Sequence, residues 1–352
     1  MRLDRDVFVR GHGMRLPARL RVDDAVAMGQ CQPRLVARTD VESVSVSEGE
    51  SAAEMAVAAA RVALERAESA GQDVDLILHA DTYHQGQDLW AVASYVQAQT
   101  LRNTCSALEI RQMSCGGMAA LDLATAYLTA APNRMDALLT TSDRFCEPGI
   151  NRWSTDPGTP YADGGTAIVL SRRGGYARLH SIVMYADSDL EELHRGDEPF
   201  SPAPFTHRIP VDFEAAKQTF TKRHGLSFAI NRVNGGQRFT IKQALADADL
   251  ELAEVDWIVL PHFGYRRLES LYFREFGIDP ARTTWEWSRT VGHLGAGDQY
   301  AGLGYLVDSG RARPGQTCLL VGIGAGYTWG AAVLEFLSAP RWSVTPGSAV
   351  VG

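Results

Sequence analysis

Ile110-Arg111-Gln112-Met113-Ser114-Cys115-Gly116-Gly117-Met118-Ala119-Ala120 decides how this chain is read. A short polar segment ends in a cysteine, two glycines follow, and an apolar run continues to Tyr127 and Leu128. Met118, Leu121, Ala124 and Leu128 recur at helical spacing, which predicts a buried helix starting at the cysteine. Free backbone N–H groups and the positive end of a helix dipole favour a thiolate at such a place. Gly116 and Gly117 leave room for a substrate to approach the sulfur. The competing reading is that Cys115 is one more buried cysteine, since free cysteine is among the most buried residue types.

Working outward, helices and short apolar strands alternate, which predicts an α/β fold. Asp6 to Gly13 reads as a first strand, and residues 14–50 as loops with a short helix. Ser51 with Glu54 three residues on forms a capping box before an alanine-rich helix to Gly71. Strands are expected at Val74–His79, Ala107–Ile110, Ala137–Thr141 and Thr166–Leu170, with a helix over Leu89–Leu101. The second half repeats the order. A helix near Ile241–Leu250 leads to a strand at Val255–Leu260, then a helix around Arg266–Phe276. A glycine-rich turn at Gly292–Gly297 opens a helix to Ser309. Strands are then expected at Thr317–Val321 and within Gly322–Phe336.

Val74-Asp75-Leu76-Ile77 matches Val255-Asp256-Trp257-Ile258, and Ala137-Leu138-Leu139 matches Cys318-Leu319-Leu320. Both pairs lie 181 residues apart, as do Gly116 and Gly297. One shared offset over two strands and a helix points to an internal duplication. The halves are drawn at 1–175, carrying the cysteine, and 176–352. Packed about a pseudo-twofold axis, they bring Cys115 to face His293 and Asp298. The proline-bearing stretch 186–225 between them reads as a crossover and surface cap.

The 352 residues carry a net charge of −8, so no basic footprint suggests nucleic acid. Only three lysines stand among 34 basic residues, a bias that fits a GC-rich genome. No stretch approaches the length of a transmembrane helix, and the N-terminus lacks the apolar core of a signal peptide. Five widely spaced cysteines without a C-x-x-C pair argue against a disulfide framework or a metal site and fit a reduced, cytoplasmic protein.

A nucleophile needs a base, and the base needs an orienting group. His293, with Asp298 five residues later, can supply both, because a carboxylate bound to imidazole fixes its tautomer and raises its basicity. A turn histidine and a helix N-cap are the plain alternatives. His262, after Pro261 at a strand end, is either a donor to the substrate or a structural residue. Gly322-Ile323-Gly324-Ala325-Gly326 sits too near the C-terminus for a dinucleotide loop; one of its N–H groups suits an oxyanion donor.

Cys115-Gly116-Gly117, Pro261-His262, and the tail from Gly310-Arg311-Ala312-Arg313-Pro314-Gly315-Gln316 through Gly326-Tyr327-Thr328-Trp329-Gly330 resemble the type III ketoacyl synthases. The resemblance implies a thiolase fold, five-layered αβαβα from two duplicated halves, and a homodimer. It implies no permanently bound cofactor, with an acyl-coenzyme A or acyl-carrier-protein thioester loading Cys115. The Cys115 and Ala325 N–H groups would hold the oxyanion, although the family usually has glycine at the Ala325 position. Where its condensing members carry asparagine, this chain has His293. That departure resembles a branch of antibiotic and polyketide pathways. The branch holds acyltransferases that esterify sugars or other hydroxyls, malonyl transfer among them, and starter-unit enzymes with serine as nucleophile. Cys115 favours the first group, with decarboxylative synthesis and a non-catalytic partner subunit as the alternatives. Arg38 loosely matches a coenzyme-contacting arginine. Arg266 and Arg267 are candidates for carrier docking or simply for a solvated helix face.

Overall fold

In a computed structural model the structure describes residues 3–342 apart from 38, 205 and 207. The strands in chain order are β1 (Phe8–Arg15), β2 (Arg19–Arg21), β3 (Ser43–Ser45), β4 (Val74–Ala80), β5 (Ser106–Ile110), β6 (Asp136–Asp143), β7 (Gly164–Ser171), β8 (Ala177–Ala186), β9 (Trp257–Val259), β10 (Thr317–Gly324) and β11 (Thr328–Phe336). Nine of them hydrogen-bond in the order β5-β4-β6-β7-β1-β8-β11-β10-β9, and β2 pairs with β3. The β4–β5, β4–β6 and β9–β10 pairs are parallel; the others in the large sheet are antiparallel. β1 meets β8 only at Phe8–Arg178 and Val9–Ala177, so the two halves of the sheet join at a narrow seam.

Two helices lie between those halves. Gly116–Ala130 packs against β4 and β6 on one side and β8 and β11 on the other; Asp298–Asp308 packs against β9 and β10 and against β1 and β7. Each central helix therefore packs against strands of both halves, which is why its sequence is apolar nearly all round. Ala52–Ala67 covers β1, β6 and β7 from outside, and Leu226–Asp247 covers β8 and β11. The result is the expected αβαβα layering. Ala52–Ala67 starts with both arms of its capping box formed: Glu54 N donates to Ser51 Oγ, and Ser51 N donates to Glu54 Oε2 at 2.8 Å. A Cβ at Gly11, Gly13 or Gly165 would lie within 2.4 Å of this helix's backbone, so the alanine-rich helix and glycine-bearing strands fit at close range.

Several elements differ from the sequence-based expectation: β2 and β3 lie in the stretch 14–50 expected as loops with a short helix, and a helix at Phe213–His224 lies in the stretch expected as a crossover and surface cap. β8 falls in a stretch with no assigned strand. The helix expected near Ile241–Leu250 runs from Leu226 to Asp247. Gly235-Gly236 masks it in the sequence; in the fold a Cβ at Gly236 would sit 2.6 Å from the Trp329 ring, so the second glycine seats the helix on β11.

Candidate active site

A short 3₁₀ turn precedes each central helix: Met113–Cys115 before Gly116, and Gly295–Gly297 before Asp298. The two turns touch. A Cβ on Gly116 would lie 3.2 Å from Ala296 Cβ, one on Gly117 would lie 2.5 Å from the Ala296 carbonyl, and Tyr300 Oη donates to the Gly117 carbonyl at 2.6 Å. The expected meeting of the two glycine-rich turns thus occurs.

The imidazole that arrives there meets a serine. His293 Nε2 is 2.8 Å from Ser114 Oγ, and His293 Nδ1 is 2.6 Å from Asp298 Oδ2. The carboxylate accepts only, so Nδ1 carries the proton and donates, leaving Nε2 to accept from the Ser114 hydroxyl. Asp298 is almost completely buried and accepts three N–H groups: His293 Nδ1, the His262 backbone N at 2.8 Å, and the Leu294 backbone N at 2.8 Å. Burial alone would raise its pKa. The His262 and His293 imidazoles and these hydrogen bonds outweigh burial and hold it below the usual carboxylate range. The His293 backbone is fixed as well, donating to Pro160 O and accepting from Ala162 N, each at 2.8 Å. Tyr161 and Phe263 flank its ring, with centroids at 5.5 and 5.6 Å.

Cys115 does not occupy the place expected for it. Its side chain is fully buried and belongs to the same hydrophobic core as Met118, Tyr300 and Val259, and among the described residues no hydrogen bond joins it to His293. Burial pushes its thiol well above the ordinary cysteine range, so desolvation overrides the favourable helix dipole. Its N–H already donates to the Gln112 carbonyl at 3.1 Å, so it is not a free oxyanion donor. The physical reason is the phase of the turn. Met113 has a left-handed backbone, with φ +49°, which swings Ser114 to the cavity and Cys115 to the core. No acceptor among the described residues engages the Ser114 or Ala325 N–H groups. The Ala325 loop also lies against the Ser114 turn: a Cβ on Gly324 would come within 2.7 Å of Cys115 N and Gln112 O. Among the described residues the Ser114 and Ala325 N–H groups are thus unengaged, whereas that of Cys115 is engaged.

His262 is also off the cavity. Its Nδ1 donates to the Gly292 carbonyl at 3.0 Å, its ring packs edge-on to Trp287, and its Nε2 is buried without a partner among the described residues. Burial lowers its pKa, against the raising effect of Asp298. It positions Asp298 through its backbone N–H. Arg38 lies outside the described residues. Arg267 is drawn inward, bidentate to Asp156 at 2.6 and 3.0 Å, and so cannot serve a docking surface; Arg266 is exposed at the edge of the cavity.

The cavity above Ser114 has a volume of about 1030 Å³. Its walls mix apolar groups (Phe145, Phe263, Leu271) with Thr82, Tyr83, Tyr161, Lys217 and Tyr327. Sequence reading missed Ser114. A chemical signal for it was present: a carboxylate-backed imidazole is what a hydroxyl nucleophile requires, whereas a cysteine can act with less help.

Residues 245–336 match the family described as 3-oxoacyl-(acyl-carrier-protein) synthase III, C-terminal. The solved structure of ChlB3, described as an acyltransferase, is 31% identical, with 96% of this chain and all of that one covered at a TM-score of 0.92. The chain belongs to the ketoacyl synthase III-like family of thiolase-fold enzymes. Among its relatives, the beta-ketoacyl-(acyl-carrier-protein) synthase III of Rhodospirillum centenum is 28% identical over 336 residues, 93% of this chain and 98% of the relative. The 3-oxoacyl-(acyl-carrier-protein) synthase III structure from Aquifex aeolicus VF5 is 22% identical with a TM-score of 0.75, over 94% of this chain and all of that one. No helix is long and apolar enough to cross a membrane among the described residues.

Proposed function

We propose that this enzyme is an O-acyltransferase that works through an acyl ester on Ser114. The observation that carries the reading is the chain of hydrogen bonds Ser114–His293–Asp298, ending in a buried carboxylate. Such a chain removes a proton from an alcohol. Carbon–carbon bond formation by decarboxylation instead needs neutral groups that donate to an enolate, and His293 Nε2 is an acceptor in this arrangement.

In the first half-reaction Ser114 Oγ attacks the carbonyl carbon of an acyl-coenzyme A or acyl-carrier-protein thioester while His293 Nε2 takes the hydroxyl proton. Ser114 N–H and Ala325 N–H bind the oxyanion. The carbon–sulfur bond breaks, and the imidazolium protonates the departing thiolate. In the second half-reaction an acceptor hydroxyl loses its proton to His293 Nε2 and attacks the acyl-Ser114 carbonyl. Ser114 Oγ leaves and recovers the proton, so one thioester and one alcohol become one thiol and one ester.

The acceptor in this reading is a hydroxyl of a sugar or polyketide natural product, a malonyl-type group is among the candidate acyl groups, and the setting is cytoplasmic antibiotic tailoring. The acyl thioester is a cosubstrate rather than a resident cofactor, and the working unit is a homodimer. The likeness to ChlB3, described as an acyltransferase, supports the acyl-transfer half of the reading. The test is to supply acetyl- and malonyl-coenzyme A with a panel of glycosylated aromatic polyketides. O-acylated products without carbon dioxide release are expected. Stoichiometric carbon dioxide with a β-ketoacyl product would show a condensing enzyme instead.

A further inference from the structure

The cavity wall carries more positive charge than its own residues neutralise. In a chain of net charge −8, Arg34, Arg266, Arg267 and Lys217 line it against a single carboxylate, Asp156, among the described residues. Arg34 and Arg266 are exposed, but Arg267 and Lys217 lie deeper and share Asp156. The Arg267 guanidinium is largely satisfied, because NH1 and NH2 donate to Asp156, Thr159 Oγ1 and the Pro157 carbonyl. Lys217 is not: its ammonium has three N–H groups, and among the described residues only one finds an acceptor, Asp156 Oδ1 at 2.5 Å. The pair of cations with one anion leaves one unneutralised charge, and only 20% of the Lys217 side chain is exposed. Taking a charge out of water without pairing it is costly, so a binding partner is expected to complete it.

A second group borders the same space. His194 lines this cavity, and its buried Nδ1 has no hydrogen-bond partner among the described residues. Its ring is stacked on Tyr327, with centroids 5.2 Å apart, and braced edge-on by Phe213 at 4.9 Å. Burial, with Lys217 adding to it, keeps this imidazole neutral near pH 7, so in the matching tautomer it presents an N–H rather than a second charge. Glu214 acts on Lys217 electrostatically but lines the neighbouring cavity, not this wall.

We infer that Lys217 and His194 form a carboxylate subsite, so that one of the two substrates carries a free carboxylate into the cavity. This deepens the acyl-transfer reading and rests on it for the word substrate. The carboxylate can belong to the acyl group, as in a dicarboxylic monothioester, or to the acceptor. The test uses Ser114→Ala protein, which cannot turn over, titrated calorimetrically with malonyl-coenzyme A and acetyl-coenzyme A. The two ligands share everything except the carboxylate. At least tenfold tighter binding of the malonyl ligand is expected if the acyl group is the source. Lys217→Met should erase that preference, and Lys217→Arg should keep most of it. If the two thioesters bind alike, the same titration with 4-hydroxyphenylacetate and its methyl ester reads the acceptor as the source, with the same Lys217 dependence. Equal affinities within both pairs, or a preference that survives Lys217→Met, overturns the subsite. Because no turnover is needed, this result stays separate from the nucleophile: absent acylation of the wild-type enzyme would sink the acyl-transfer reading without touching the binding comparison.

Discussion

Replacing Asp298 with asparagine keeps the shape of the side chain and removes its charge and half of its acceptor capacity. In the native site Oδ1 accepts from Leu294 N, and Oδ2 accepts from both His293 Nδ1 and His262 N. An asparagine can keep its oxygen toward Leu294, but its NH₂ then faces two donors. His262 N–H is left buried and unpaired, which costs about 1–3 kcal/mol. His293 can relieve its own clash only by moving its proton from Nδ1 to Nε2. The imidazole then donates to Ser114 and can no longer take its proton. Wrong-tautomer substitutions of this type lower turnover by about 10⁴, equivalent to about 5.4 kcal/mol of barrier. Loss of the negative charge at the start of the Asp298–Asp308 helix adds about 0.3–1 kcal/mol of lost stability. The assay is single-turnover release of coenzyme A from an acyl-coenzyme A donor, separated chromatographically, with a thermal melt run in parallel. A fall of roughly 10⁴ in the acylation rate, in a protein that still melts cooperatively, is expected. A folded Asp298→Asn enzyme acylating within tenfold of wild type would refute the role of His293 as base.

Cys115→Ala should leave the acylation rate within about threefold of wild type while lowering stability by about 1–2 kcal/mol, as for loss of one buried group; rate and denaturation midpoint together check it. Gly117→Ala would set a Cβ 2.5 Å from the Ala296 carbonyl and force the two active-site turns apart. A stability loss of about 1–3 kcal/mol is expected, with a drop in kcat larger than the change in KM. Asp143, whose Oδ1 holds the backbones of Thr82 and Tyr83 at the cavity wall, has its pKa pushed up to about 7, by burial first and with Asp81 contributing. Its folded pKa is above its unfolded one, so its stabilising contribution is complete below about pH 4 and is lost as pH rises through about 7. Asp143→Asn, which cannot ionise, should therefore gain stability over wild type between those limits, on the order of 2–4 kcal/mol; denaturation at pH 5 and pH 8 measures it, and a gap that does not widen with pH would count against it.

The fold was largely readable because periodicity reports local structure directly. The capping box at Ser51 and Glu54 and the paired strands β4/β9 and β6/β10 stand where pattern puts them. The Leu226–Asp247 helix was shortened in the reading because glycines that lower helix propensity were needed against Trp329. At the site, His293 and Asp298 could be found from spacing, since both belong to one turn and the helix it opens. Ser114 and Cys115 could not be separated that way. Adjacent residues differ in direction by a turn's phase, and that phase is set by Met113 in a left-handed conformation unusual for methionine. The sequence contained both candidate nucleophiles, and helix polarity favoured either. Burial decided between them, because Cys115 falls in a core completed by residues distant in the chain, such as Val259 and Tyr300. The cluster of Asp156, Lys217 and Arg267 was hidden for the same reason: its members come from three separate segments.

The nucleophile is tested most directly by intact-protein mass spectrometry of the wild-type enzyme after acyl-coenzyme A treatment, followed by peptide mapping and exposure to neutral hydroxylamine. A single acyl group on Ser114, resistant to hydroxylamine as an oxyester and absent from Ser114→Ala but present on Cys115→Ala, is the expected result. A hydroxylamine-labile acyl group on Cys115, retained in Ser114→Ala, would contradict it.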